Sequence, residues 1–174
     1  MILLASLVGC SWLSPKRVVP AETSRFIQTG KIIAPQLLKK GGKIAIVPFT
    51  PGAGVEAGEL SDKISLHIIK GISSILNERS DLFEIVTAEN ANEAELIIEG
   101  RLTQLQHPSL VKKLFMTGRK KSLGVSGRVI VRKTDEKIAI FTDQRDTRKK
   151  DQDLNQLAET VGQDIGRFIL SEVK

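Results

Sequence analysis

Cysteine is nearly absent: Cys10 is the only one among 174 residues. A structural disulfide within the chain is therefore excluded, and so is a zinc site built on paired thiolates. Tyrosine is missing altogether, tryptophan occurs once, and aromatic residues make up 4% of the chain. A membrane β-barrel needs aromatic girdles and a single-strand nucleic-acid platform needs stacking rings, so neither is expected. Histidine occurs twice, at His67 and His107. Neither belongs to a spaced ligand pair or to a nucleophile elbow, and no catalytic constellation is read from the sequence. No apolar run reaches the roughly 20 residues a membrane-spanning helix requires.

What is present is a soluble-protein balance with a basic excess. Hydrophobic residues are 41%, charged residues 26%, and the formal net charge is +6. Such a chain suits one packed domain plus a tail. Its charge suits an anionic partner.

The stretch Met1 to Gly9 is apolar and ends in small residues just before Cys10. It matches the h-region of a secretory signal, although no Lys or Arg precedes it. Leu7-Val8-Gly9-Cys10 resembles a bacterial lipobox. The resemblance implies cleavage after Gly9, acylation of Cys10, and anchoring through several acyl chains at about 0.8 kcal/mol per buried methylene. Ser11, rather than an acid, follows the cysteine. By resemblance to enterobacterial sorting, that favours the outer membrane, with the protein facing the periplasm. Residues 1–9 then form a signal peptide, 10–40 the lipidated N-terminus and tether, and 41–174 the folded domain.

Within the tether, Pro15 and Pro20 break regular structure, while Ser24-Arg25-Phe26-Ile27 and Lys31-Ile32-Ile33-Ala34 read as pieces that dock on the domain. The basic turn Lys39-Lys40-Gly41-Gly42-Lys43 closes it. Ile44 to Phe49 is continuously apolar and predicts a buried strand, ended by Pro48. Leu60, Ile64, Ile68, Ile72, Ile75 and Leu76 recur at helical spacing, with Ser61 as the expected N-cap. Strands are predicted at 82–87 and 96–102. Gly124 to Arg132 and Ile138 to Thr142 read as a hairpin around the turn Thr134-Asp135-Glu136-Lys137. Residues 145–153 are nearly all polar and read as a solvated connector. A last amphipathic helix carries Leu154, Leu157, Val161, Ile165 and Ile169, capped by Asp151 or Asp153. The expected fold is α/β (α+β): a single mixed sheet of about five strands with two amphipathic helices packed on it.

Two stretches carry candidate chemistry. Gly52-Ala53-Gly54-Val55-Glu56-Ala57-Gly58 has the look of a dinucleotide-binding loop, but Glu56 would repel a phosphate and the helix cap lies beyond the third glycine. It reads as a loop over a sheet edge. Lys112, Lys113, Arg119, Lys120 and Lys121 stand in one run without an acid, interleaved with Leu114, Phe115 and Met116. A solvated loop is the ordinary reading of such a run. A contact surface for an anionic partner is the functional one, with anionic lipid or peptidoglycan in reach of a tethered protein.

Lys43-Ile-Ala-Ile-Val-Pro-Phe, Leu60-Ser61-Asp62 and Ala94-Glu95-Leu-Ile-Ile-Glu-Gly-Arg-Leu102, taken together, resemble a motif set of periplasmic α/β domains. These are found in the secretion lipoprotein CsgG, the lipoprotein LpoB and the N-terminal domain of TolB. The resemblance implies a membrane-anchored, non-catalytic binding or accessory subunit of a cell-envelope assembly, without a cofactor, with an envelope protein as partner and no role for nucleic acid. A CsgG-like secretion-channel subunit is the alternative. A nucleotide-binding enzyme using the 52–58 loop is the third and weakest.

Overall fold

A computed structural model describes residues 26–106, 121–147 and 153–173. Cys10 and the cations at 112, 113, 119 and 120 lie outside these residues, as does His107.

Seven strands form one mixed sheet: β1 (Thr29–Ile32), β2 (Gly42–Ile46), β3 (Thr50–Pro51), β4 (Phe83–Val86), β5 (Leu96–Gln106), β6 (Ser122–Val131) and β7 (Glu136–Asp146). Their spatial order is β1-β7-β6-β5-β2-β4, and β3 pairs with β5 beyond the end of β2. The helices are α1 (Pro35–Lys40), α2 (Glu59–Asn77) and α3 (Leu154–Leu170). Strand β2, helix α2 and strand β4 make a parallel crossover unit, while β5, β6 and β7 form an antiparallel meander. This is the mixed sheet with amphipathic helices expected from the sequence, with two strands more.

The extra strands have separate causes. β3 contains only two residues, too few for a period to show. β1 lies in the stretch read as tether, where it pairs antiparallel with β7 from Thr29↔Thr142 to Ile32↔Ala139. Leu38 of α1 is fully buried. The packed fold thus reaches into residues 10–40, and the expected docking of the pieces around Phe26 and Lys31 takes the form of an edge strand.

The stripes of α2 and α3 supply the helix side of the core, packed on the inward residues of the sheet. Ile64, Ile68 and Ile72 of α2 and Val161, Ile165 and Ile169 of α3 are essentially without solvent contact. The two helices cross where glycines remove side chains. A Cβ on Gly162 would lie 2.2 Å from the Ile68 carbonyl oxygen, and one on Gly71 would lie 2.2 Å from that of Glu159. The sheet shows the same device. Phe49 lies over Gly100 and Phe141 over Gly127, each ring within 2.4 Å of where a Cβ would stand. The ring centroids are 6.4 Å apart and tilted by 40°. Pro48 has no N–H to continue the pairing that ends with Val47 on Ile98, and Phe49 beyond it is buried, its N–H donating to Ser65 Oγ at 2.7 Å.

Two local readings are corrected. Ser61 is not the N-cap of α2 but its third residue. Its hydroxyl accepts from the Gly58 N–H at 3.0 Å and donates to the Gly58 carbonyl at 2.7 Å, because the loop glycine supplies the cap conformation instead. Residues 145–153 are not all solvated connector. Arg145 and Asp146 complete β7, and Thr147 is buried. Strand alternation turns Arg145 toward the helices, where it finds carboxylates. Asp153 is the N-cap of α3, as expected.

Candidate functional site: the open face of the sheet

Alternation along the strands separates two faces. Ile98, Leu102, Val125, Val129 and Phe141 point to the helices and are buried. Their neighbours Glu99, Arg101, Ser126, Arg128, Ile140 and Thr142 point the other way. Register aligns these in rows, since Glu99 lies opposite Arg128 and Arg128 opposite Ile140, while Arg101 lies opposite Ser126 and Ser126 opposite Thr142. Together with Thr29, Thr50 and Lys137 they line an open groove of about 680 Å³ across the face that the helices leave uncovered.

The groove is polar and predominantly basic. Among the described residues Glu99 is its one carboxylate, and it is held by Arg128 through both Nε and Nη2. Arg101 and Lys137 have no ion-pair partner among the described residues. Lys31, level with Ile140 on the neighbouring strand, likewise has none. Hydroxyls of Thr29, Thr50, Ser126 and Thr142 complete the lining. Such a surface can hold anionic groups by charge and hydroxyl-rich ones by hydrogen bonding.

Sequence reasoning treated Arg101 and Arg128 only as strand residues. Their period-two spacing with Glu99 and Ser126 signals an outward face, but the row they form across three strands depends on register. Of the basic run chosen instead, only Lys121 is described. Its backbone pairs with Thr147, the Thr147 N–H donating to the Lys121 carbonyl at 2.8 Å, at the entry to β6.

The glycine loop commits three of its amides elsewhere. The Gly52 N–H donates to the Leu102 carbonyl, that of Val55 to Gly52, and that of Gly58 to Ser61 Oγ. A phosphate would find these donors occupied. His67 sits between the long helices, its Nδ1 3.8 Å from Glu159 Oε2, which Lys70 also approaches at 3.1 Å. It is a half-buried residue at the boundary of the Ile64/Ile68 stripe. Among the described residues no group of three or more His, Cys, Asp or Glu is placed to hold a metal ion, and no helix is long and apolar enough to cross a membrane.

A polar node joins the N-terminal segment to the fold. Arg145 places Nε 2.7 Å from Asp143 Oδ2, Nη1 2.7 Å from Asp164 Oδ2 and donates from Nη2 to the Phe26 carbonyl at 2.6 Å. Asp143 Oδ1 accepts from the Gln28 N–H at 3.1 Å. Burial pushes the Asp143 carboxyl above its ordinary range, against the pull of Arg145, whose guanidinium is shared with Asp164.

No family model matches the chain, and no curated protein matches it. Solved structures do. The chain is similar to the PelC dodecamer from Paraburkholderia phytofirmans at 14% identity, covering 84% of this chain and 95% of that one, with a TM-score of 0.56. A substituted form of the same PelC, in another crystal form, matches with a TM-score of 0.54, also at 14% identity, over 83% and 93% of the two chains. Lipoprotein GNA1162 from Neisseria meningitidis is more distant, at 9% identity and a TM-score of 0.45 over 72% and 99%. At these identities the likeness to PelC is one of fold. None of the three bears the name of the CsgG, LpoB or TolB group.

Proposed function

We propose that this chain is a lipid-anchored, non-catalytic accessory subunit of a cell-envelope assembly, held by Cys10 in the outer membrane and facing the periplasm. The observation that carries the reading is the apolar run closing on Leu7-Val8-Gly9-Cys10, ahead of a domain whose first strand is fastened to the sheet. An anchor at Cys10 then holds a folded binding module near the bilayer, and the basic groove is the surface that module presents. Labelled palmitate should enter the wild-type chain and not Cys10→Ala, and the variant should leave the membrane fraction. Unlabelled wild type that remains membrane-bound alongside the variant would refute the anchor.

The fold likeness to a dodecamer favours a second reading, in which copies of this chain assemble as a secretion-channel component of the CsgG kind. Light scattering on the purified, detergent-solubilised protein separates the two. A single large closed species supports the channel subunit, and a monomer supports the accessory protein. The nucleotide-binding alternative keeps only the spacing of its glycines, and a flat calorimetric titration with nucleotides would end it.

A further inference from the structure

We infer that the open face of the sheet docks on the phosphate headgroups of an anionic lipid bilayer. Arg101, Arg128 and Lys137 line the groove and Lys31 stands beside it, against one carboxylate among the described lining residues, Glu99, which Arg128 already holds. The other outward acids of the sheet, Glu84 and Asp146, lie away from the groove beside Lys43 and Ser122. Three cations are therefore left without a carboxylate among the described residues. Among these cations and hydroxyls one aliphatic side chain is exposed: Ile140, opposite Lys31, at 38%. Ile33, just past the end of β1, is 46% exposed. Unpaired cations flanking exposed aliphatic side chains make a surface suited to headgroup level. The cations meet phosphate and the aliphatic groups meet the acyl boundary.

The backbone argues in the same direction. β6 is paired along both edges, with β5 and with β7, so an acidic peptide could not join the middle of this face by strand addition. The anchor brings proximity as well. β1 borders the face, and only fifteen residues, 11–25, separate Cys10 from the described fold. Fully extended they reach about 55 Å. In that one respect the inference rests on the anchor reading.

The test uses the full chain carrying Cys10→Ser, which has no acyl chain, sedimented with vesicles of phosphatidylglycerol and phosphatidylethanolamine or of phosphatidylcholine alone. Preferential binding to the phosphatidylglycerol vesicles, weakened by salt, is expected. Arg101→Glu with Lys137→Glu should lower that binding about tenfold or more, and the milder Arg101→Gln with Lys137→Gln by a smaller factor, with unchanged circular dichroism in both. The apolar residues 1–9 would favour both vesicle types alike, so selectivity for charge is the readout.

Equal binding of wild type and double variant overturns the inference, as does indifference to lipid charge. Loss of binding only when Lys112, Lys113, Arg119, Lys120 and Lys121 are replaced would assign the contact to that run instead. Displacement by millimolar glycerol phosphate would assign the groove to a soluble phosphate compound. Because the assay contains no acylated protein, its failure and a failure of palmitate labelling are separate results.

Discussion

Asp143 and Arg145, two residues apart on β7, both turn toward the helices and meet at 2.7 Å between Oδ2 and Nε. Asp143 is 3% exposed and Arg145 about a quarter. From this pair the guanidinium reaches Asp164 of α3 and the Phe26 carbonyl, so one side chain ties the last long strand, the last helix and the entering chain.

Removing that side chain leaves a buried carboxylate without its cation. Arg145→Ala should cost about 3 kcal/mol, the usual penalty for breaking a buried pair from one side. Urea unfolding measures it. Limited proteolysis should show earlier cleavage near Phe26 in the variant, since the carbonyl there loses its donor.

The Asp143 carboxyl titrates above its reference of 3.8, with burial the main cause. The folded state therefore binds this proton more tightly than the unfolded chain. Its contribution to stability is complete below that reference and is lost as pH rises through the raised folded value, the reverse of an exposed, salt-bridged acid. Asp143→Asn removes the titration. The stability of wild type relative to the variant should therefore decline as pH is raised from below 3.8 toward neutrality, and thermal melts across that range test the sign. A difference that grows with pH would contradict it.

At the helix crossing, Gly162→Ala should destabilise although alanine is the better helix former. Intrinsic propensity favours alanine by about 1 kcal/mol. The added methyl meets the Ile68 backbone at 2.2 Å, and backbone cannot rotate aside. A net loss of about 1–3 kcal/mol is expected from overpacking, read as a lowered melting temperature. An unchanged or raised one would mean that the helices separate without cost.

Ser65→Ala removes the buried hydroxyl that receives the Phe49 N–H. An orphaned buried amide costs about 1–3 kcal/mol. Because Phe49 packs over Gly100 on the inner side of the groove strands, the near-ultraviolet signal of the aromatic core should change with it. Ser65→Thr, which keeps the acceptor, should lose less, and calorimetric melts of both variants make the comparison.

Much of the fold was legible because burial leaves a periodic mark. Ile64, Ile68 and Ile72 recur at helical spacing, and Ile44-Ala-Ile is apolar throughout because that strand is buried on both faces. The glycines at 100 and 127 stood in plain view but unexplained. Their role is to accept the rings of Phe49 and Phe141, and each ring is remote in sequence from its glycine or set there by sheet pairing. β1 escaped because four residues of an edge strand, one face buried and one wet, carry too little pattern to stand out from a tether. Arg145 escaped because its polar neighbours advertise solvent, while its actual surroundings are Asp143, Asp164 and Phe26.

The sequence by itself determined the element types, the amphipathic stripes and the position of Cys10 behind an apolar run, since each is a local property of composition and spacing. Only the tertiary structure decided which cations share a surface. Arg101, Arg128, Lys137 and Lys31 lie on four strands, and hydrogen-bond register brings them to one face. A shift of one residue in any strand would turn its side chain to the helices instead.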